Sequence, residues 1–264
     1  MRRHFRQGLR SHVMALFDPD EIALEQTGVL MGGVRWFPRA QPLRIFRIFR
    51  ARLETLDQAL EEIRRVKMIE AYLAPDGFAR STEFVVDYLS PPGHAILLCG
   101  LQEFVDGEIL NPWSLLNKET FLDHIYHALS CNALEPFGER RDWKLCARAY
   151  ARRFVDNIKR MIMETGHVPD LAGVGNLIMT AQGAVKLVDI NNSTRISPGG
   201  KIALDDKGYP VGDKSIEALS LLEEKMVERP VDRTEWIYQT ILSPERMANV
   251  RMLTDAFQVK AVTG

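Results

Sequence analysis

Between His167 and Asn192 the chain reads HVPDLAGVGNLIMTAQGAVKLVDINN, and this stretch constrains the fold more than any other. Leu177, Ile178 and Met179 form a short apolar run, Ala181-Gln182-Gly183-Ala184 interrupts it, and Val185, Leu187 and Val188 form a second run ending at Asp189. That pattern reads as strand, turn, strand. With the strands paired antiparallel, the start of the first lies beside the end of the second, which brings Asn176 and Asp189 within reach of one cation. Asp170 falls in the preceding loop, close by. A carboxylate and an amide oxygen held side by side suit a hard, oxygen-preferring ion such as Mg²⁺, which keeps waters and takes further ligands from phosphates. A third carboxylate that is not a ligand can accept a proton. The plainer alternative is that Asp170 and Asn176 only shape a turn, a common use of Asp, Asn and Gly.

Composition leaves room for such a site in a sizeable fold. With 264 residues and 46% apolar content, the chain can bury one large core or two modest ones. A formal charge of −1 carries no global nucleic-acid or membrane signal. Cys99, Cys131 and Cys146 lie far apart without metal-ligand spacing, as expected of reduced thiols in the cytoplasm. No apolar run reaches membrane-spanning length, and the opening MRRHFRQGLRSHVMALF breaks its apolar residues with Arg and His, unlike a signal peptide. A cytoplasmic protein is the expectation. The basic start reads as a solvated helix face, with an acidic partner or a membrane surface as the alternative.

Taken in order, residues 21 to 50 read as two or three strands, with Gly28, Gly32 and Gly33 as turn residues. Leu53, Leu56, Leu60, Ile63, Val66, Ile69 and Leu73 recur at three- and four-residue steps, which predicts a helix over 53–73 stopped by Pro75-Asp76-Gly77. Phe84 to Leu89 and Ala95 to Gly100 read as two further strands, leading into QEFVDGEIL. Helices are predicted from Lys118 to Cys131 and from a cap at Asp142 to Gly166. His124 and His127 read as surface or groove residues, and Arg140, Arg141, Arg148, Arg152 and Arg153 as a solvated face open to an anionic substrate. Beyond Asn192 a Gly- and Pro-rich interval precedes a helix over Ile216 to Met226, and Glu235 to Leu242 and Pro244 to Phe257 close the chain as helices.

The phrase D-L-x-x-x-G-N at Asp170–Asn176, followed by V-K-L-V-D at Val185–Asp189, resembles the catalytic loop and metal-binding acid of the protein-kinase-like superfamily, particularly its small-molecule phosphotransferase branches. The resemblance implies an α+β, two-lobed fold. Residues 1–110 would form a small nucleotide-binding lobe of antiparallel sheet plus one helix, ending in a hinge; residues 111–264 would form a mainly helical lobe. It implies ATP and Mg²⁺ bound in the cleft and phosphoryl transfer to a small-molecule or peptide hydroxyl. Asp170 would orient or deprotonate the acceptor, while Asn176 and Asp189 would hold the magnesium. A small-lobe hairpin would cover the phosphates, and Glu103 and Val105 would read the nucleotide edge through main-chain atoms, Gly107 freeing the chain to turn. The strand position that carries a phosphate-binding Lys in the family aligns with Arg47, then Arg50, and Glu62 or Glu70 on the following helix would pair with it. Asp213 would brace the catalytic loop. The chain departs from the pattern in three places: six positions separate Asp170 from Asn176 where five are usual, Ile190-Asn191 replaces the family Phe-Gly, and the strand offers no lysine. These departures motivate the alternative of a catalytically impaired, pseudokinase-like module that binds a nucleotide or a partner.

Overall fold

The computed structural model describes residues 2–3, 11–50, 53–90, 93–132, 138–197, 199, 201–227 and 229–263, so most of the basic opening segment lies outside the described residues. Contacts divide the chain into two units, Met1–Arg64 with Ala79–Phe104, and Arg65–Phe78 with Val105–Gly264. Residues 65–78 and 105–110, assigned to the small lobe on sequence, group with the second unit. The architecture mixes helices with antiparallel sheets and is compatible with the α+β class.

In the first unit, β1 (Arg2–Arg3) and β2 (Ser11–Phe17) precede α1 (Pro19–Thr27). A hairpin of β3 (Val29–Met31) and β4 (Val34–Trp36) follows, then β5 (Pro42–Phe49), the first turns of α2 (Leu56–Leu73), β6 (Ser81–Ser90) and β7 (Gly93–Glu103). Five of these strands make one sheet in the order β1-β2-β5-β7-β6, antiparallel throughout. Alternation sets its faces: Ile45, Arg47 and Phe49 are buried at every second position of β5, while Phe46 points the other way and stacks on Phe84 at 6.3 Å. Gly32 and Gly33 turn β3 into β4 with φ of 57° and 80°, the two left-handed residues that a type I′ hairpin needs.

The expectation of strands alone across 21–50 is corrected by α1. Asp18 caps it by accepting the Asp20 amide at 2.8 Å, and Pro19 supplies the fixed φ of a first helical residue. The helix buries no residue, so no apolar periodicity announces it.

The second unit takes the rest of α2, then β8 (Glu108–Ile109), α3 (Lys118–Asn132), α4 (Arg140–Thr165), β9 (His167–Pro169), β10 (Leu177–Met179), β11 (Val185–Leu187) and β12 (Ser193–Arg195). α5 (Val211–Leu222) runs into a π-helical turn, Glu223–Val227, and α6 (Trp236–Ile241) and α7 (Pro244–Thr263) complete it. Phe154, Ile158, Met161 and Ile162 of α4 pack into one core with Leu122 of α3, Leu177 and Leu187 of the hairpin strands, and Ile216 and Leu219 of α5. Each such side chain contributes about 1.5–3 kcal/mol when fully withdrawn from water. α4 starts three residues earlier than expected, with Glu139 at the N-cap, and Asp142 lies in the first turn, where its charge suits the exposed amides. Gly166 ends α4 as expected, in the left-handed region with φ of 69°. Among the described residues no helix is long and apolar enough to cross a membrane.

Glu223, 1% exposed, ties this unit together electrostatically. Its carboxylate receives Lys159 at 2.7 Å, Tyr238 at 2.7 Å and Arg229 at 2.5 Å. Burial alone would raise its pKa, yet the three donors outweigh burial and hold the carboxyl below the usual glutamate range. A depressed acid stabilises the fold above its unfolded-state pKa and loses that contribution as pH falls through the folded value. Glu223→Gln is therefore expected to cost about 3 kcal/mol at neutral pH. Denaturation of both proteins across the acid range should show the gap closing below pH ~4.

Gly107 is irreplaceable for a steric reason. Its φ is 153°, and a Cβ there would sit 2.1 Å from the Met179 carbonyl oxygen. Gly107→Ala should separate β8 from β10 and destabilise the second unit by on the order of 3 kcal/mol, read as a lowered melting temperature.

Candidate functional site

α4 delivers the chain through Gly166 into β9, which pairs with β12 in the register Pro169↔Ser193 and Val168↔Thr194. That pairing fixes the entrance to the loop at Asp170. The Asp170 amide donates to the Asn192 carbonyl at 2.8 Å, and the Asn192 side-chain amide donates back to Asp170 Oδ2 at 3.1 Å. Asp170 Oδ1 accepts the amides of Ala172 at 3.0 Å and Gly173 at 3.2 Å, so the side chain caps its own loop. Beneath the loop, Ser215 Oγ accepts the Leu171 amide at 3.1 Å, and Trp113 Nε1 donates to the Ala172 carbonyl at 2.8 Å.

β10 and β11 pair antiparallel with Leu177 opposite Leu187 and Met179 opposite Val185. The pairing extends one step further, because the Val188 amide donates to the Asn176 carbonyl at 2.8 Å. Asp189 follows directly. Asn176 Nδ2 donates to the Asp170 carbonyl at 3.0 Å, which commits the amide nitrogen and leaves Oδ1 as the atom suited to a cation. Burial raises the Asp170 pKa first and the nearby Asp189 charge second, against the lowering by its hydrogen bonds to Ala172, Gly173 and Asn192. The three sequence candidates of the second unit thus converge.

The six-position spacing is absorbed by a turn. The Asn176 amide donates to the Gly173 carbonyl at 3.1 Å, and Gly175 stands third in that turn with φ of 92°. A type II turn requires glycine at that place. Gly173 serves differently, because a Cβ on it would meet Asn176 Nδ2 at 2.4 Å and Oδ1 at 2.8 Å. The Asn176 amide lies directly against the Gly173 backbone.

The other candidates are carried by other elements. Arg47 is buried on β5 and faces Gly100 of β7, which in turn faces Glu83 of β6. Opposed residues of antiparallel strands share a face, so Arg47 and Glu83 flank a position without a side chain. Glu62 is half-buried on the first-unit part of α2. Glu70 is paired with Lys67 of its own helix at 2.7 Å. Arg50 is exposed. The Glu103 amide donates to the Arg80 carbonyl at 2.8 Å, and the chain passes from the first unit to the second between Phe104 and Val105. Gly107, expected to free a turn, instead permits close approach to Met179.

Asp213 does not brace the loop. It forms a two-pronged pair with Arg246, at 2.5 and 3.2 Å, and Ser215 two residues on holds the loop amide instead. His124 and His127 are exposed on α3. Arg140, Arg141 and Arg148 line a surface pocket of about 340 Å³ with Lys144 and Asp123, which pair at 3.0 Å.

Asn192, Ser215 and Trp113 are the supporting residues that sequence reasoning missed. Asn192 alone carried a local signal, in the repeated Asn after Asp189. No protein-family model matches the chain, and no curated protein matches it.

Gly173→Ala tests the geometry. It should force the Asn176 amide off the Asp170 carbonyl and cost about 1–3 kcal/mol. The measurement is the melting temperature together with the Asn176 side-chain amide resonances, which should shift in the variant.

Proposed function

We propose that this protein is a kinase-like phosphotransferase, two-lobed in the sense the resemblance implies, that moves a phosphoryl group from magnesium ATP to a hydroxyl acceptor. The observation that supports it best is the meeting of Asp170, Asn176 and Asp189 at one end of the β10–β11 hairpin. One amide oxygen and one carboxylate make an incomplete coordination sphere, and among the described residues no cluster of three His, Cys, Asp or Glu could enclose a metal ion. That donor set fits Mg²⁺, which keeps waters and binds through one or two protein oxygens plus substrate phosphates. The bound ion would supply charge neutralisation to the phosphates.

Asn176 and Asp189 hold the cation in this reading. Asp170 receives the acceptor proton or orients the hydroxyl, and Asn192, Ala172 and Gly173 fix its carboxylate in place. The main chain at Glu103 and Val105 takes the nucleotide edge, and Arg47 is the phosphate contact of the first unit. A second reading is favoured by β5 itself, PLRIFRIF, which carries Arg47 where the family uses lysine. A planar guanidinium does not reproduce a compact ammonium, and the chain would then be a nucleotide- or partner-binding module without turnover.

Radiolabelled ATP with magnesium separates the two. Transfer or slow hydrolysis is expected, falling at least ~100-fold in Asp170→Ala, while the rise in melting temperature with magnesium ATP survives. At ligand concentrations of about 100 times Kd that rise corresponds to about 2.7 kcal/mol. Asp189→Asn should lose both signals. Stabilisation without turnover in the unmodified protein would establish the binding module, and absence of both would remove the nucleotide site.

A further inference from the structure

The β3–β4 hairpin belongs to the first unit, and its chemistry is unusual for a surface. β3 and β4 pair with each other alone among the described strands. The register sets Val29 opposite Trp36 and Met31 opposite Val34, so these four side chains share one face. That face is apolar throughout and is not covered: Met31, Val34 and Trp36 are 58%, 56% and 57% exposed. On the opposite face Leu30 and Phe37 are 66% and 61% exposed beside Arg35. A two-stranded ribbon is marginal in water, and contiguous exposed apolar surface of this kind marks an interaction site.

The order of chemistry along the hairpin identifies the occupant. At the tip, Gly32 and Gly33 have open space around them. Next come Met31 and Val34, and Trp36 stands two residues behind Val34, about 7 Å along the strand. Phe37 and Arg39 follow, both exposed. On the face of Met31 and Val34 the apolar tip is followed by Trp36 and then by Arg39, while Arg35 lies on the opposite face between Val34 and Trp36. Apolar residues ahead of an aromatic residue and a cation match a lipid surface, into which interfacial elements sink about 5–10 Å. Charge agrees: from Gly28 to Gln41 the hairpin and its exit carry two exposed arginines, Arg35 and Arg39, and no acid. The open space around the tip means that it needs no shaped groove in its partner. The base is anchored to α1, where Arg35 donates to the Thr27 carbonyl at 2.6 Å and the Gln41 amide donates to Glu21 at 3.1 Å.

We infer that the β3–β4 hairpin is an interfacial anchor that docks the protein on an anionic phospholipid surface, with Met31 and Val34 inserted and Trp36 at headgroup level. Docking of this kind lies on the membrane and requires no spanning helix.

Sedimentation of the full chain with vesicles of mixed phosphatidylcholine and phosphatidylglycerol tests it. Binding is expected to weaken about tenfold in the double variant Met31→Ser, Val34→Ser, with the melting temperature unchanged because both positions are exposed. Raised salt should weaken it too. Tryptophan emission should shift to the blue on binding, and most of that shift should be lost in Trp36→Phe. Equal sedimentation of the unmodified protein and the double variant would overturn the proposal, as would equal binding to phosphatidylcholine alone. A lipid-independent dimer abolished by the same substitutions would also overturn it, because the face would then be covered by a second copy of the chain.

Discussion

The candidate site depends on the register of one short hairpin. Leu177 faces Leu187 across β10 and β11, and both are fully buried in the core of the second unit. A slip of one residue would turn both leucines out of that core, so packing energy rather than the hairpin's few hydrogen bonds holds the register. The Val188 amide then meets the Asn176 carbonyl, and Asp189 leaves the strand beside the loop that carries Asp170. Polar residues at the end of a strand are placed by apolar residues within it.

Around Asp170 the influences oppose one another, and those that raise the pKa prevail. Burial and the neighbouring Asp189 charge favour the neutral acid, whereas the amides of Ala172 and Gly173 and the side chain of Asn192 favour the carboxylate. The balance leaves the group above the ordinary carboxylate range. In the phosphotransferase reading this follows from a site built for a cation: with Asp189 neutralised, Asp170 would ionise more readily, as a proton acceptor must. Tyr209, whose phenol is pushed up to about 12 first by burial and then by the Asp170 charge, reports the same concentration of negative potential.

What could be read from the sequence was whatever depends on neighbours along the chain. The period of α2, the left-handed stop of α4 at Gly166 and the strand-turn-strand over 177–187 rest on local patterns, and each is present. α1 escaped because it buries nothing, although its Asp18-Pro19 start was visible. The braces of the Asp170 loop were hidden for another reason. Ser215 and Trp113 reach the loop from 44 and 59 residues away, and a serine inside a helix start or a tryptophan in a loop carries no mark of its partner. The row of Arg47, Gly100 and Glu83 likewise exists only once three strands are in register.

Glycine shows most sharply how much the fold adds. Gly32 and Gly33 have positive φ and empty surroundings, so backbone conformation alone selects them. Gly107 joins a positive φ to a carbonyl oxygen where its Cβ would stand. Gly173 has no unusual φ and is selected by the Asn176 amide against it, while two residues on Gly175 supplies the left-handed step of the turn. The extra residue between Asp170 and Asn176 looked like a fault in the motif. It is instead the residue that lets the loop close a type II turn and bring the Asn176 nitrogen back to the Asp170 carbonyl. Motif spacing matters only through the geometry it produces, and here two glycines with unlike physical roles shape the loop between Asp170 and Asn176.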